Sequence, residues 1–129
     1  MDYAESTCRN VRIQVHCQYI PGRSAPPLHQ WFFAYRIRIA NEGSEAIQLL
    51  ARHWVITDAQ GHVQEVSGEG VVGEQPVIEP GEAFEYTSGC PLTTPFGSMR
   101  GEYQMTDRTG ERFDVEIPAF ALRVPGSVN

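Results

Sequence analysis

Residues 50–86 read LARHWVITDAQGHVQEVSGEGVVGEQPVIEPGEAFEY, and how this stretch is parsed decides the fold. At its centre, Gly68-Glu69-Gly70-Val71-Val72-Gly73 fits the letter pattern G-x-G-x-x-G. A dinucleotide fingerprint needs a strand before the glycines and a helix after them, whose N-terminal amides hold a pyrophosphate. Here Pro76 follows Gly73 too closely for a helix to begin, and no helical period comes after it. Glu69 and Glu74 flank the glycines and repel phosphate. Gly68, Gly70 and Gly73 therefore read as structural: a bent, extended segment that bridges two sheets, with glycine where the backbone requires it.

Working outward, every neighbouring segment has the two-residue period of a strand. Residues 46–58 form the longest candidate, with apolar side chains on both faces, as a central strand requires. Its parity places His53 inward with Leu49 and Val55, and Trp54 on the opposite face with Ile56. Ala59-Gln60-Gly61-His62 and Glu79-Pro80-Gly81-Glu82 are turns. Residues 63–67 and 83–89 are strands beside them. Upstream, Val11, Ile13, Val15 and Cys17 alternate in one strand and Phe33, Tyr35, Ile37 and Ile39 in the next. A proline-rich loop, residues 21–27, separates the two. Downstream, Met99, Tyr103 and Met105 mark a sixth strand. The last segment changes parity, from Phe113, Val115 and Ile117 to Phe120, Leu122 and Val124, which requires one inserted residue near Pro118. About seven strands without helical periodicity predict an all-β, single antiparallel two-sheet sandwich of immunoglobulin or fibronectin type III kind. A small closed barrel is the alternative. One domain spans residues 1–129, with an ordered core over about residues 9–125.

Charge narrows the function classes. The net charge is −6, and all 10 basic residues are Arg. Without Lys there is no P-loop lysine, Schiff base or Ser-Lys nucleophile. Between Arg52 and Arg100 lie Asp58, Glu65, Glu69, Glu74, Glu79, Glu82 and Glu85 with no intervening Arg. Nucleic acid is not an expected partner for that middle, since phosphates demand a basic stripe. The 3 cysteines, Cys8, Cys17 and Cys90, form no C-x-x-C pair, which favours a reducing cytoplasm. No apolar run reaches the ~20 residues of a membrane helix, so no membrane association is expected.

No catalytic residues emerge. Ser88-Gly89-Cys90 lacks a nucleophile elbow and an identifiable base, and Cys90 reads as an inert thiol. The four histidines have no H-x-x-x-H spacing. A weak cation site remains conceivable in the acidic middle: the glycine bend can bring Glu69 and Glu74 to one side. Mg²⁺ takes oxygen ligands, and cobalt would add imidazole from His62. No cofactor is implied.

The segments FAYRIRIAN (33–41), ARHW with the following TD (51–58), VSGEGVVGEQP (66–76), PGEAFEYTSG (80–89) and the late G-M-G-Y-M alternation together resemble the bacterial ApaG family. The resemblance covers most of the chain and implies a fibronectin type III-like sandwich. It also implies an association with cobalt tolerance and magnesium efflux, and with genes beside a diadenosine tetraphosphatase. The same domain occurs fused in eukaryotic F-box proteins and a polymerase delta-interacting protein, which implies binding rather than catalysis. It transfers no catalytic or ligand residue. The proline-rich loop and Cys90 depart from the family pattern. The leading expectation is a non-enzymatic module that binds another protein. A divalent-cation sensor using the acidic loops comes second, and a nucleotide or pyrophosphate binder third.

Overall fold

The structure, a computed structural model, describes residues 2–126. Its strands are β1 (Asp2–Cys8), β2 (Val11–Tyr19), β3 (Trp31–Asn41), β4 (Ile47–Asp58), β5 (Val63–Glu69), β6 (Val77–Ile78), β7 (Ala83–Leu92), β8 (Phe96–Thr106) and β9 (Arg112–Arg123). They form two antiparallel sheets, one ordered β1-β2-β3-β7 and the other β5-β4-β8-β9, with β6 also paired to β4. Among the described residues no helix is long and apolar enough to cross a membrane.

The sandwich matches the expectation, but the described strands number nine rather than about seven. The two additions have physical reasons. β1 pairs with β2 from Asp2↔Cys17 to Cys8↔Val11, yet no residue of it is fully buried, so it lacks the apolar alternation that identifies a half-buried strand. β6 is only 2 residues long, too short to show any period.

The core forms as the alternation dictates. Ile13, Val15, Phe33, Ile37, Ile39, Tyr103, Met105, Val115 and Leu122 are fully buried between the sheets. Each such side chain contributes roughly 1.5–3 kcal/mol of transfer free energy. At one end of the sandwich Asn41 ties the sheets together by polar contacts. It is buried on β3, its Nδ2 donates to Glu45 O at 2.8 Å and to Ile78 O at 2.9 Å, and its Oδ1 accepts from the Gly43 amide at 2.9 Å.

Two bulges set which side chains face inward. In β9 the register with β8 shifts between Met99↔Phe120 and Gly101↔Ile117. Val115 and Ile117 before the shift, and Phe120 and Leu122 after it, are all buried. The inserted residue lies at Pro118–Ala119, as the parity change requires. In β4 the register with β8 passes from Leu49↔Met105 to Ala51↔Gln104, which leaves Leu50 as an extra residue. This bulge corrects the expectation for His53 and Trp54. Continuous alternation from Leu49 would put His53 inside; the added residue reverses the parity, so Trp54 is 3 % exposed while the His53 side chain keeps 28 %.

The sheets meet unequally at their two sides. On one side β9 packs against β1 and β2. There Arg123 pairs with Asp2, and Ser6 Oγ donates to Glu116 O at 3.4 Å. On the other side β5 and β7 each have a strand neighbour on one edge only.

Deleting Ala119 should turn one half of β9 inside out and destabilise the fold by more than about 3 kcal/mol, since Phe120 and Leu122 would leave the core. Equilibrium urea unfolding checks this, and an unchanged midpoint would contradict the bulge assignment.

Candidate functional site

The glycine-rich segment is built on the β4 bulge. Gln48 pairs with Val77 on one side and Thr106 on the other, so β6 lies along the same edge of β4 as β5. β5 and β6 are thus two pieces of one edge strand, and residues 70–76 make an excursion between them. The expectation that this segment bridges the sheets is therefore corrected: it leaves and rejoins a single sheet. The carbonyl exposed by the bulge supplies the reason. Leu50 O accepts from the Gly70 amide at 2.8 Å and from Gln75 Nε2 at 2.9 Å.

Within the excursion Val71 and Glu74 exchange backbone hydrogen bonds of 2.8 and 2.9 Å. Val72 (φ 43) and Gly73 (φ 82) between them both have positive φ, the pattern of a type I′ turn. No helix follows, so the geometry for a pyrophosphate at a helix N-terminus does not arise. Gly70, at φ 64, is required twice over, because a Cβ there would lie 2.3 Å from Glu74 O. Val72 is the misplaced residue, since a β-branched side chain rarely adopts positive φ. Val72→Asn should raise stability by about 1 kcal/mol, and Gly70→Val should lower it by about 2 kcal/mol or more, as read from thermal melts.

Of the candidate cation ligands, His62 does not converge with Glu69. His62 sits on the β4–β5 turn beside Asp58, Nδ1 to Oδ2 3.4 Å. Glu69 ends β5 at the other extreme, more than about 20 Å away at the rise of an extended strand. Glu74 is exposed on the glycine turn. Among the described residues no group of three or more His, Cys, Asp or Glu is arranged to hold an ion.

His53 instead organises a charged cluster on the outer face. Its Nδ1 lies 2.7 Å from Glu102 Oε1 on β8 and its Nε2 2.8 Å from Glu65 Oε1 on β5. The bonds to Glu65 and then Glu102 raise its pKa above the ordinary 6.5. A raised folded-state pKa means that the cluster stabilises the fold fully below about pH 6.5 and loses that contribution as pH rises through the higher folded value. NMR titration of the His53 ring should give a midpoint above 6.5, lowered by Glu65→Gln. A parent midpoint at or below the ordinary value would refute the cluster.

The open side also carries a chemically varied lining. Between β5 and β7 lies a cleft of about 220 Å³ whose walls include Tyr35, Arg52, Trp54, Gln64, Ser88 and Cys90. Arg52 faces inward because of the Leu50 bulge. Its Nη1 donates to Glu69 O at 3.1 Å and Gly70 O at 2.8 Å. Gly68 lies opposite Arg52 in the β4–β5 pairing, and a Cβ there would sit 2.9 Å from Nη1. The missing side chain gives the guanidinium its place. Trp54 packs edge-on against Tyr35 and Phe120, at centroid distances of 5.5 and 5.9 Å. Burial pushes the Cys90 thiol up to about 11, so it stays protonated at neutral pH and unreactive, as its sequence context suggests. Burial likewise raises the Tyr35 phenol, opposed by a hydrogen bond with Ser88.

Sequence alone missed the Arg52–Gly68 pair and the acidic partners of His53. Both depend on cross-strand register, and only the bulge reveals that Arg52 points inward.

These features define a small antiparallel β-sandwich whose glycine loop rests on a bulge and whose one side is open. Residues 21–107 match the ApaG domain family model, and the chain belongs to the ApaG family. It is 56 % identical over 123 residues to Protein ApaG of Rhodospirillum centenum, covering 95 % of this chain and 94 % of that one. To Protein ApaG of Paramagnetospirillum magneticum it is 54 % identical, with the same shares covered. A crystal structure from Bordetella pertussis, assigned as an ApaA protein, superposes with a TM-score of 0.88 at 47 % identity and covers 97 % of each chain.

Proposed function

We propose that this domain is a non-enzymatic protein-interaction module that works in the cytoplasm and engages its partner along the open side of the sandwich. The observation that carries the reading is the pair of edge strands, β5 and β7, that flank a half-buried cleft. Each leaves backbone donors and acceptors on its outer edge, and an extended segment of another chain can pair with such an edge. Exposed Val63 and Val77 lie on the same margin of the sheet. The titratable groups in the cleft support binding rather than proton transfer: Cys90 and Tyr35 are both shifted away from neutrality. Free thiols at Cys8, Cys17 and Cys90 suit a reducing compartment.

In this reading the family's association with cobalt tolerance and magnesium efflux is exerted through the partner rather than through ligands on this chain. The separation of His62 from Glu69 favours that route over direct cation sensing.

Photo-crosslinking residues placed at Ser67 on β5, Thr87 on β7 and Ser98 on the outer face of β8 would locate the contact in living cells. All three positions are exposed. A discrete adduct at the two edge positions and none at the third is expected. Equal labelling at all three, or none at the edges, would defeat the proposal.

A further inference from the structure

The edge strand β5 is lightly held. None of its side chains is fully buried, and Val66 alone packs, in part, against the core. Its backbone pairs with β4 from Thr57↔Val63 to Ala51↔Glu69, and its other edge has no strand neighbour. Side chains fasten it at two places. At its last residue Arg52 Nη1 donates to Glu69 O, and in its middle Glu65 Oε1 meets His53 Nε2 at 2.8 Å. Among the described residues the second is the one bond between side chains that β5 makes to the rest of the sheet.

That bond requires a proton by its geometry. A carboxylate only accepts, whereas neutral imidazole offers one N–H and one bare lone pair. Both ring nitrogens of His53 face carboxylate oxygens, Nδ1 at 2.7 Å from Glu102 and Nε2 at 2.8 Å from Glu65. A neutral ring would set its lone pair against an oxygen lone pair on one side. The trio is matched when it holds one more proton, as an imidazolium between two carboxylates. Its surroundings favour that state. On the same face Glu65 and Glu69 of β5, Glu102 of β8 and Glu116 of β9 outnumber Arg100 of β8, and β6 brings no titratable side chain.

We propose that His53 is a proton-operated clasp on β5: protonated, it ties β5 to β4 and β8 through Glu65 and Glu102, and on losing its proton it frees Glu65, so that β5 opens locally from the sheet more often. Its raised pKa sets the direction, closed at acid pH and loosening as pH rises through the folded value. One consequence rests on the interaction reading above: β5 is a better ordered template for a partner strand while the clasp is shut.

Hydrogen exchange followed by NMR from about pH 5.5 to about pH 9 tests the clasp, with protection factors corrected for the intrinsic pH dependence of exchange. The β5 amides bonded to β4 should lie below the protection set by global unfolding. They should lose about threefold or more as pH rises, with the same midpoint as the His53 ring. Glu65→Gln, whose amide can meet either state of the ring, should abolish that pH dependence. His53→Arg keeps a cation at every pH and should keep β5 protected throughout. His62→Gln, on the turn into β5, should leave the midpoint unchanged. Protection of β5 at the global level, protection independent of pH, a dependence that survives Glu65→Gln, or one removed by His62→Gln overturns the clasp. If the clasp responds as expected while the edge crosslinks fail, the interaction reading falls alone; edge crosslinks with an unresponsive β5 sink the clasp alone.

Discussion

The extra residue at Leu50 is the constraint on which the rest of this structure depends. One inserted backbone unit in β4 reverses the facing of every side chain from Ala51 onward. It brings Trp54 into the aromatic packing between the sheets, turns His53 out to meet Glu65 and Glu102, and points Arg52 toward the cleft. A bulge also breaks the local ladder. Here the displaced carbonyl is satisfied by Gly70 and Gln75, so the glycine-rich segment and the bulge are two halves of one feature. The letter pattern that suggests nucleotide binding is the imprint of a backbone repair.

The interior is held together by more than apolar burial. Tyr86 on β7 and Tyr103 on β8 join their hydroxyls at 2.5 Å across the sheets. Desolvation raises both phenols, so the pair stays neutral and one hydroxyl donates to the other at any physiological pH. Together with Asn41 at one end, this contact couples the sheets at defined points. Burying these polar groups is tolerable because each finds a partner.

Much of the fold was legible because alternation is a strong signal when one face is buried. Phe33, Tyr35, Ile37 and Ile39 marked β3, and the parity change at Pro118 located a bulge correctly. The same logic failed at Leu50. There both faces of the strand are apolar, so a slip of one residue leaves no trace in the pattern: Leu49 and Leu50 are interchangeable to a reader of periodicity. β1 was invisible for the opposite reason, having almost nothing apolar to alternate. The candidate site suffered most, since Arg52 with Gly68 and His53 with Glu102 are relations across strands rather than along them.

The closed side of the sandwich has a consequence for architecture beyond the domain. Its first and last strands, β1 and β9, lie against each other at the margin remote from β5 and β7. A polypeptide appended before β1 or after β9 therefore departs from the shut seam and leaves the opposite margin unobstructed. Such a layout suits tethering: the domain can be joined to other modules, or carry a label at either end, without its neighbours competing for the exposed strand edges.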